Sequence, residues 1–401
     1  MHPATSPTAE TVEASPSQAT ASTGRLRNLL LSLTPHPTQN TSYTSYPPIP
    51  TTSPERLAAT ANDKPLDLYN LPCRSSSTSN DEKKTVLYLA YGSNLAHSTF
   101  EGSRGIRPLS QINVQVPSLR LTFDLPGIPY SEPCFANTGI RHPSHPSQAP
   151  ESEPQEQQTN SNDDSATPTA EPSSWTKGLI GVVYEVTLAD YTHIIATEGG
   201  GSAYNDILIP CHPLPPSPTD PVPSIPLSVP FMAHTLFCPP SSPRIHRPDP
   251  DHAQASPRYL ALLTVGAKER DLPLEYRRFL ESLQPYTPTS QKQELGRFIF
   301  LMMWGPFVAI VLALQKMFQD ERGRSPKWLV WASGALFEGM WGSYDNIFLG
   351  IFGEGERTVK TGKGEDARRV ARGWAEWRRK SRMLRLGDGD EKEKAGMLSV
   401  V

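Results

Sequence analysis

Cysteine is scarce in this 401-residue chain: there are four, Cys73, Cys134, Cys211 and Cys238, none in a CxxC pair or at zinc-type spacing. Each sits beside a proline. That scatter argues against a cysteine metal cage or a disulfide framework and fits free thiols of a reducing compartment. The chain also lacks a GxxxxGK[ST] loop, a GxGxxG turn, an HExxH pair and a GxSxG elbow. Walker-type phosphate binding, dinucleotide binding, zinc-assisted proteolysis and serine-hydrolase chemistry therefore have no motif to rest on. Net charge is only −3, so no global field draws the protein to nucleic acid.

Proline, in contrast, is abundant and clustered: 42 residues, about twice the average fraction. Residues 1–80 are rich in Ser, Thr and Pro and poor in periodic apolar residues, the composition of a disordered tail. Within that tail the Arg/Leu-rich run 25–33 is too short for a membrane span and too far from Met1 for a signal peptide. Glu10 and Glu13 disfavour a mitochondrial presequence, which leaves a local helix as the preferred reading. Pro- and Ser-rich stretches at 142–174 and 210–226 read as solvated insertions in a domain covering 81–290.

Within 81–290 the segments 86–90, 119–123, 135–140, 178–186, 204–209, 229–237 and 259–265 read as strands. Residues 188–197 and 274–283 carry apolar side chains at helical spacing. Strands dominate, so the expected class is α+β: a small mixed or antiparallel β-barrel with few helices, followed by C-terminal hydrophobic helices.

The most informative stretch is Val86-Leu-Tyr-Leu-Ala-Tyr-Gly-Ser-Asn-Leu95, an apolar run that ends in a polar loop. Gly92 can take backbone angles closed to other residues, while Ser93 and Asn94 suit a turn. Such a loop can aim several backbone N–H groups at one carbonyl or carboxylate oxygen. Downstream come Thr197-Glu198-Gly199, Ser256-Pro-Arg-Tyr-Leu260 and Gly266-Ala-Lys-Glu-Arg-Asp-Leu-Pro-Leu-Glu-Tyr276. In this order the segments, between residues 84 and 286, resemble the γ-glutamylcyclotransferases, which release 5-oxoproline from γ-glutamyl amines.

The resemblance implies a barrel fold and an intramolecular cyclisation needing no metal, nucleotide or other cofactor. It implies Glu198 as the acid/base. Tyr88, Leu89, Ala90, Tyr91, Gly92, Ser93 and Asn94 match the loop that binds the glutamyl group, and Tyr259 matches a tyrosine that contacts substrate. Tyr204 is expected in the same pocket, although the Gly199-Gly-Gly-Ser202 segment departs from the family pattern and leaves substrate size open. Lys268 and Glu269 are expected to be structural. The Pro-rich insertions and hydrophobic extension look like filamentous-fungal variants of the family. Some of those strip a γ-glutamyl group from a glutathione adduct while making sulfur-bridged dioxopiperazine toxins. A non-catalytic membrane scaffold that keeps the barrel is the alternative from a different class.

The C-terminal third has its own character. Residues 298–314 contain no charged or strongly polar side chain, and extension to Phe318 reaches the roughly 20 residues that cross a bilayer core. A second apolar run, 328–352, carries Glu338 and Asp345, which must be paired or interfacial if it enters lipid. From Arg357 to Arg385 the tail is densely basic, with Trp374 and Trp377 interleaved, and it turns acidic afterwards. Such a segment suits an anionic leaflet. The expected organisation is a hydrophobic helical region over 291–355 and a basic-then-acidic tail over 356–401. A hairpin of the two runs keeps the catalytic domain and the basic tail on the cytosolic side. The expected partners are a small-molecule γ-glutamyl substrate and membrane lipid, with no nucleic acid and with homodimerisation left open.

Overall fold

The computed structural model describes residues 47–66, 84–141, 175–197, 205–238, 247, 252–320 and 325–359. Glu198, Tyr204, Cys73, the run 25–33, the insertion 142–174 and the tail from 360 lie outside the described residues. The architecture below belongs to the unit from Ile49 to Val401.

Among the described residues seven strands are formed: β1 (Thr85–Ala90), β2 (Ser110–Val116), β3 (Leu119–Ile128), β4 (Glu132–Ile140), β5 (Leu179–Thr187), β6 (Asn205–Pro213) and β7 (Phe231–Phe237). Five of them close a barrel in the order β1-β5-β2-β6-β7, while β3 and β4 make a separate two-stranded sheet. The barrel is mixed. Its neighbours pair antiparallel except at the closure, where β1 meets β7 in parallel with Tyr88 opposite His234. Alternation along β1 divides its side chains between two cores. Leu87 and Leu89 join Val114, Val183, Cys211 and Phe231 in a cluster drawn from all five barrel strands. Val86, Tyr88 and Ala90 face a second cluster, covered by α2 (Leu188–Thr197), α3 (Pro257–Glu269) and α4 (Leu274–Ser282).

Several segments differ from expectation. Residues 259–265 lie in α3, not in a strand. Ser256 caps that helix by accepting from Tyr259 N, Pro257 stands in its first turn, and Tyr259, Leu260, Leu263, Gly266 and Ala267 are buried at helical spacing. β2 has no counterpart among the expected strands. The tail is ordered over 47–66: α1 (Pro54–Ala59) is capped by Ser53, and the preceding residues bond to β2, with Gln111 N donating to Pro50 O at 2.8 Å. Arg56 of α1 reaches Glu185 at 3.1 Å. Burial opposes ionisation of Glu185, but hydrogen bonds from Thr85 and Ser110 together with the Arg56 charge hold its carboxyl below the ordinary value. The 210–226 stretch is anchored in the domain at several points. β6 runs through to Pro213, Val222 is buried in the outer core, and Pro218 O accepts from Leu274 N at 2.8 Å.

The C-terminal helices α5 (Gln291–Phe318) and α6 (Lys327–Ser343) run antiparallel. Trp304 Nε1 donates to Ser343 Oγ at 2.9 Å, Gln315 Nε2 to Ser333 Oγ at 3.1 Å, and the Phe318 and Trp328 rings meet at 5.7 Å. A π-helical turn (Tyr344–Phe348) and α7 (Leu349–Phe352) bring the chain back to the start of α5. The second apolar run is thus not one continuous lipid-facing segment. Met340, Trp341, Tyr344 and Phe348 are buried with Phe300 and with Tyr130 from the β3–β4 turn. Asp345 is paired, at 2.9 Å, with Arg247, whereas Glu338 is exposed. Beyond this seat the hairpin presents exposed apolar side chains, among them Met302, Phe307, Met317 and Trp331. α5 is the one described helix long and apolar enough to cross a membrane.

Candidate active site

Six of the expected residues, Tyr88, Tyr91, Gly92, Ser93, Asn94 and Tyr259, line one pocket with ≈ 400 Å³ of empty space, part of it open to solvent. Ala136 of β4 and Thr235 and Leu236 of β7 complete it. These three carried no signal in the sequence, because small or aliphatic wall residues look like any other strand residue. Leu89 and Ala90 are not among its lining residues. Strand alternation turns the Leu89 side chain into the barrel, and Ala90 packs in the outer cluster.

The loop after β1 is one tight turn. Leu95 N and Ala96 N donate to Gly92 O and Ser93 O at 3.0 and 3.2 Å. A turn of this kind leaves the N–H groups at its head without a partner inside the turn itself. Asn94 is buried, and its Nδ2 donates to Tyr88 Oη at 2.9 Å. Tyr184 Oη donates to Asn94 O at 3.4 Å. Burial pushes the Tyr184 phenol far above its ordinary value, against the opposing pull of Arg270, so it stays a neutral donor.

The GAKER segment clamps this loop from α3. At Gly266 a Cβ would stand 2.4 Å from Ala96 N and 2.5 Å from Leu95 C, so only glycine allows the helix this close. Glu269 Oε2 accepts from His97 N at 2.8 Å, and Arg270 Nε donates to Leu95 O at 3.1 Å. The structural role expected for Glu269 is thereby specified. Behind Tyr88, the Tyr191 ring lies at 5.8 Å. Asp206, buried and unremarkable in the sequence, accepts from Tyr191 Oη and lies 2.9 Å from His234 Nδ1.

Tyr259 closes the opposite side. Its Oη accepts from Ala136 N at 3.2 Å, and Phe135 packs edge-on against its ring at 5.1 Å. Gly92 lies directly across. Its backbone angles, φ −107° and ψ −139°, are those of neither a helix nor a strand. Space is short as well: a Cβ would sit 3.3 Å from Tyr259 Oη and 3.5 Å from Ala136 Cβ. Gly92→Val should therefore raise KM by about tenfold or more, an overpacking cost on the order of 1–3 kcal/mol, with Gly92→Ala milder. Steady-state kinetics beside a melting curve would show it, and wild-type kinetics in a folded Gly92→Val protein would remove the loop from the site.

Among the described residues no three His, Cys, Asp or Glu side chains converge as metal ligands would. Cys134, Cys211 and Cys238 are free and buried. Burial pushes all three thiols up, Cys238 to about 11, so they are poor nucleophiles at neutral pH.

Comparison with known proteins gives two kinds of match. The family model described as the AclK C-terminal domain matches residues 290–351, the helical hairpin and its return. The γ-glutamyl cyclotransferase gliK of Aspergillus fumigatus is 33% identical over 272 residues, covering 68% of this chain and 89% of that protein. The gliK protein of Claviceps purpurea is 30% identical over 65% of this chain and 99% of its own length. The aclK protein of Aspergillus oryzae is 29% identical over 69% of this chain and 92% of its own. Identity at this level across nearly the whole of such relatives, over a chain that folds its YGSN loop into a tyrosine-lined pocket, means that the protein belongs to the γ-glutamyl cyclotransferase family.

Proposed function

We propose that the protein cyclises the γ-glutamyl group of a glutathione-derived conjugate, releasing 5-oxoproline and the free amine. The substrate's own α-amine attacks its own γ-carbonyl, so one C–N bond forms, the amide C–N bond breaks, and nothing is oxidised or reduced. Tethering supplies most of the proximity. The protein must hold the glutamyl carboxylate and carbonyl, stabilise the tetrahedral oxyanion and move one proton from attacking to departing nitrogen. Backbone N–H groups at the head of the Gly92–Ser93 turn suit the oxyanion, because they are fixed before the charge develops. Tyr88, Asn94 and Tyr259 hold the rest of the glutamyl group. Glu198 carries the proton, first as base and then as acid. Its assignment is supported by its place one residue beyond α2, the helix whose Tyr191 packs on Tyr88. Tyr204 is proposed as a further contact on the same grounds of sequence resemblance.

The single observation that carries this reading is the convergence of the YGSN loop and Tyr259, 165 residues apart between Asn94 and Tyr259, on one pocket. A glutathione adduct is favoured over a plain γ-glutamyl amino acid by the AclK-type domain at 290–351. Fungal members resembling this chain strip such adducts when sulfur-bridged dioxopiperazines are made, and a pocket partly open to solvent lets a bulky adduct stay outside. Purified protein should release 5-oxoproline faster from a glutathione S-conjugate than from γ-glutamyl-alanine or glutathione. No release from any of the three would reject the activity and favour a scaffold role.

We further propose that the α5–α6 hairpin inserts in a membrane and leaves the catalytic domain in the cytosol, since both ends of an antiparallel pair return to one side. After cell fractionation, the full-length protein should stay in the pellet at high salt and at alkaline pH. Release by both treatments would make the hairpin a soluble appendage.

A further inference from the structure

The wall of the pocket formed by Ala136 and Tyr259 is not part of the barrel. Ala136 belongs to the two-stranded β3–β4 sheet, and an isolated hairpin is marginal in water, so something else must hold it. Tyr259 lies in the first turn of α3, whose position depends on what holds its N-terminus.

Residues 353–358, which follow α7, bond to both. On one side Tyr130 N, in the β3–β4 turn, donates to Gly355 O at 2.8 Å, and Tyr130 Oη donates to Gly353 O at 2.8 Å. On the other side Gln254 N donates to Glu356 O at 2.9 Å, and Thr358 N donates to Gln254 Oε1 at 2.7 Å, two residues before the α3 cap. The frame is closed by Glu132, which accepts from Ser256 Oγ at 2.8 Å and from Arg258 Nε at 2.6 Å. Within that frame Tyr259 N bonds to Ser256 Oγ, and Ala136 N bonds to Tyr259 Oη.

The return segment is itself pinned to the base of the helical hairpin. Tyr344 Oη accepts from Gly355 N at 2.8 Å and donates to Glu354 Oε1 at 3.0 Å. Arg247, buried against the Trp341 ring, bridges Asp345 and Glu356. Fit is tight here: a Cβ on Gly355 would stand 2.9 Å from both the Tyr130 and Tyr344 rings. The chain of contacts from hairpin base to pocket wall has no break.

We propose that the C-terminal domain is a positioning element of the active site: through residues 353–358 it sets the β3–β4 turn and the start of α3, and so fixes the Tyr259 hydroxyl. The catalytic consequence rests on the function proposed above; the structural one does not. Tyr344 is the natural probe, since Tyr344→Phe removes two hydrogen bonds of the return segment with little change of volume. In the full-length protein it should speed amide exchange of Ala136 and Tyr259 by about tenfold or more while the β1–β5 amides keep their protection. It should raise KM by about tenfold with kcat within about twofold, and this increase should vanish when Tyr259→Phe is already present, the mark of action through that hydroxyl. Gln254→Ala, which cuts the frame at its other end, should do the same and serves if Tyr344→Phe fails to fold. Unchanged Ala136 exchange and unchanged KM in a folded variant, even with a lower Tm, would overturn the inference. If the wild type releases no 5-oxoproline, the functional reading falls, and the exchange measurement still decides the positioning.

Discussion

Glu198→Gln should lower kcat for 5-oxoproline release by about 10²–10⁴-fold, the usual cost of losing a positioned acid/base. Gln keeps the size and hydrogen-bonding reach of the side chain but cannot take a proton from the attacking amine or return it to the departing one. KM should change little, because the residues proposed to hold the glutamyl group are the YGSN loop and Tyr259. Melting temperature should stay near that of the wild type. Cyclisation combines attack and departure at one carbon, so a single carboxyl serves both transfers, and none of the described residues lining the pocket carries a carboxyl or an imidazole. The pocket's polar side chains are phenols, hydroxyls and one amide. Near-normal 5-oxoproline release by Glu198→Gln would require the acid/base to be another residue.

Gly266→Ala should damage both stability and activity. Its Cβ would stand 2.4 Å from Ala96 N and 2.5 Å from Leu95 C, with the Leu95 Cβ at 2.7 Å. Two of those atoms are backbone and cannot rotate aside, so α3 and the loop after Ser93 must separate. Overpacking of this kind costs about 1–3 kcal/mol. The functional loss should exceed what that loss of stability explains, because the displaced turn carries Gly92, Ser93 and Asn94. A fall in kcat/KM of about a hundredfold or more is expected at a temperature where the variant is still folded, corresponding to roughly 2.7 kcal/mol of transition-state binding. Gly102→Ala is the matched control. Its Cβ would lie 3.6 Å from His97 O, an ordinary contact, and its stability should stay within about 0.5 kcal/mol of wild type. Urea denaturation beside steady-state kinetics reads both effects, and wild-type behaviour of Gly266→Ala would show that the helix does not set the loop.

Glu198 lies in the Thr197-Glu198-Gly199 motif and Gly266 in the GAKER segment that packs on the YGSN loop, all three singled out by the sequence for different reasons. The YGSN loop stood out because polar, turn-forming residues abruptly end an apolar strand. The GAKER segment was recognisable only as a pattern, and nothing local in Gly266 says which backbone it must approach. Where alternation or helical spacing is strong, as in 86–90, 178–186 and 188–197, the expected elements agree with β1, β5 and α2, because burial of one face decides local structure there. The error at 259–265 arose where Leu260, Leu262 and Val265 read as an apolar strand. The Ser256 cap and Pro257 were the better evidence, since they satisfy the first orphan N–H groups of a helix. Residues 47–66 read as tail because their composition is tail-like. They are ordered by partners far away in sequence, Gln111 and Glu185, which composition cannot show.

By itself the sequence determined the class of fold, the loop chemistry, the ordered motif set that marks the family, and a C-terminal region apolar enough for a membrane. These are properties of short segments, written in periodicity, turn chemistry and composition. Only the tertiary structure decided that Leu89 faces the barrel while Tyr88 faces the pocket, that Gly92 lies against the Tyr259 hydroxyl, and that half of the second apolar run is core beneath Tyr130. Each of those depends on which distant chain segment lies opposite. The barrel closure of β1 on β7, the separate β3–β4 sheet and the return of residues 353–358 set those neighbours through long-range hydrogen bonds and burial, which no window of sequence contains.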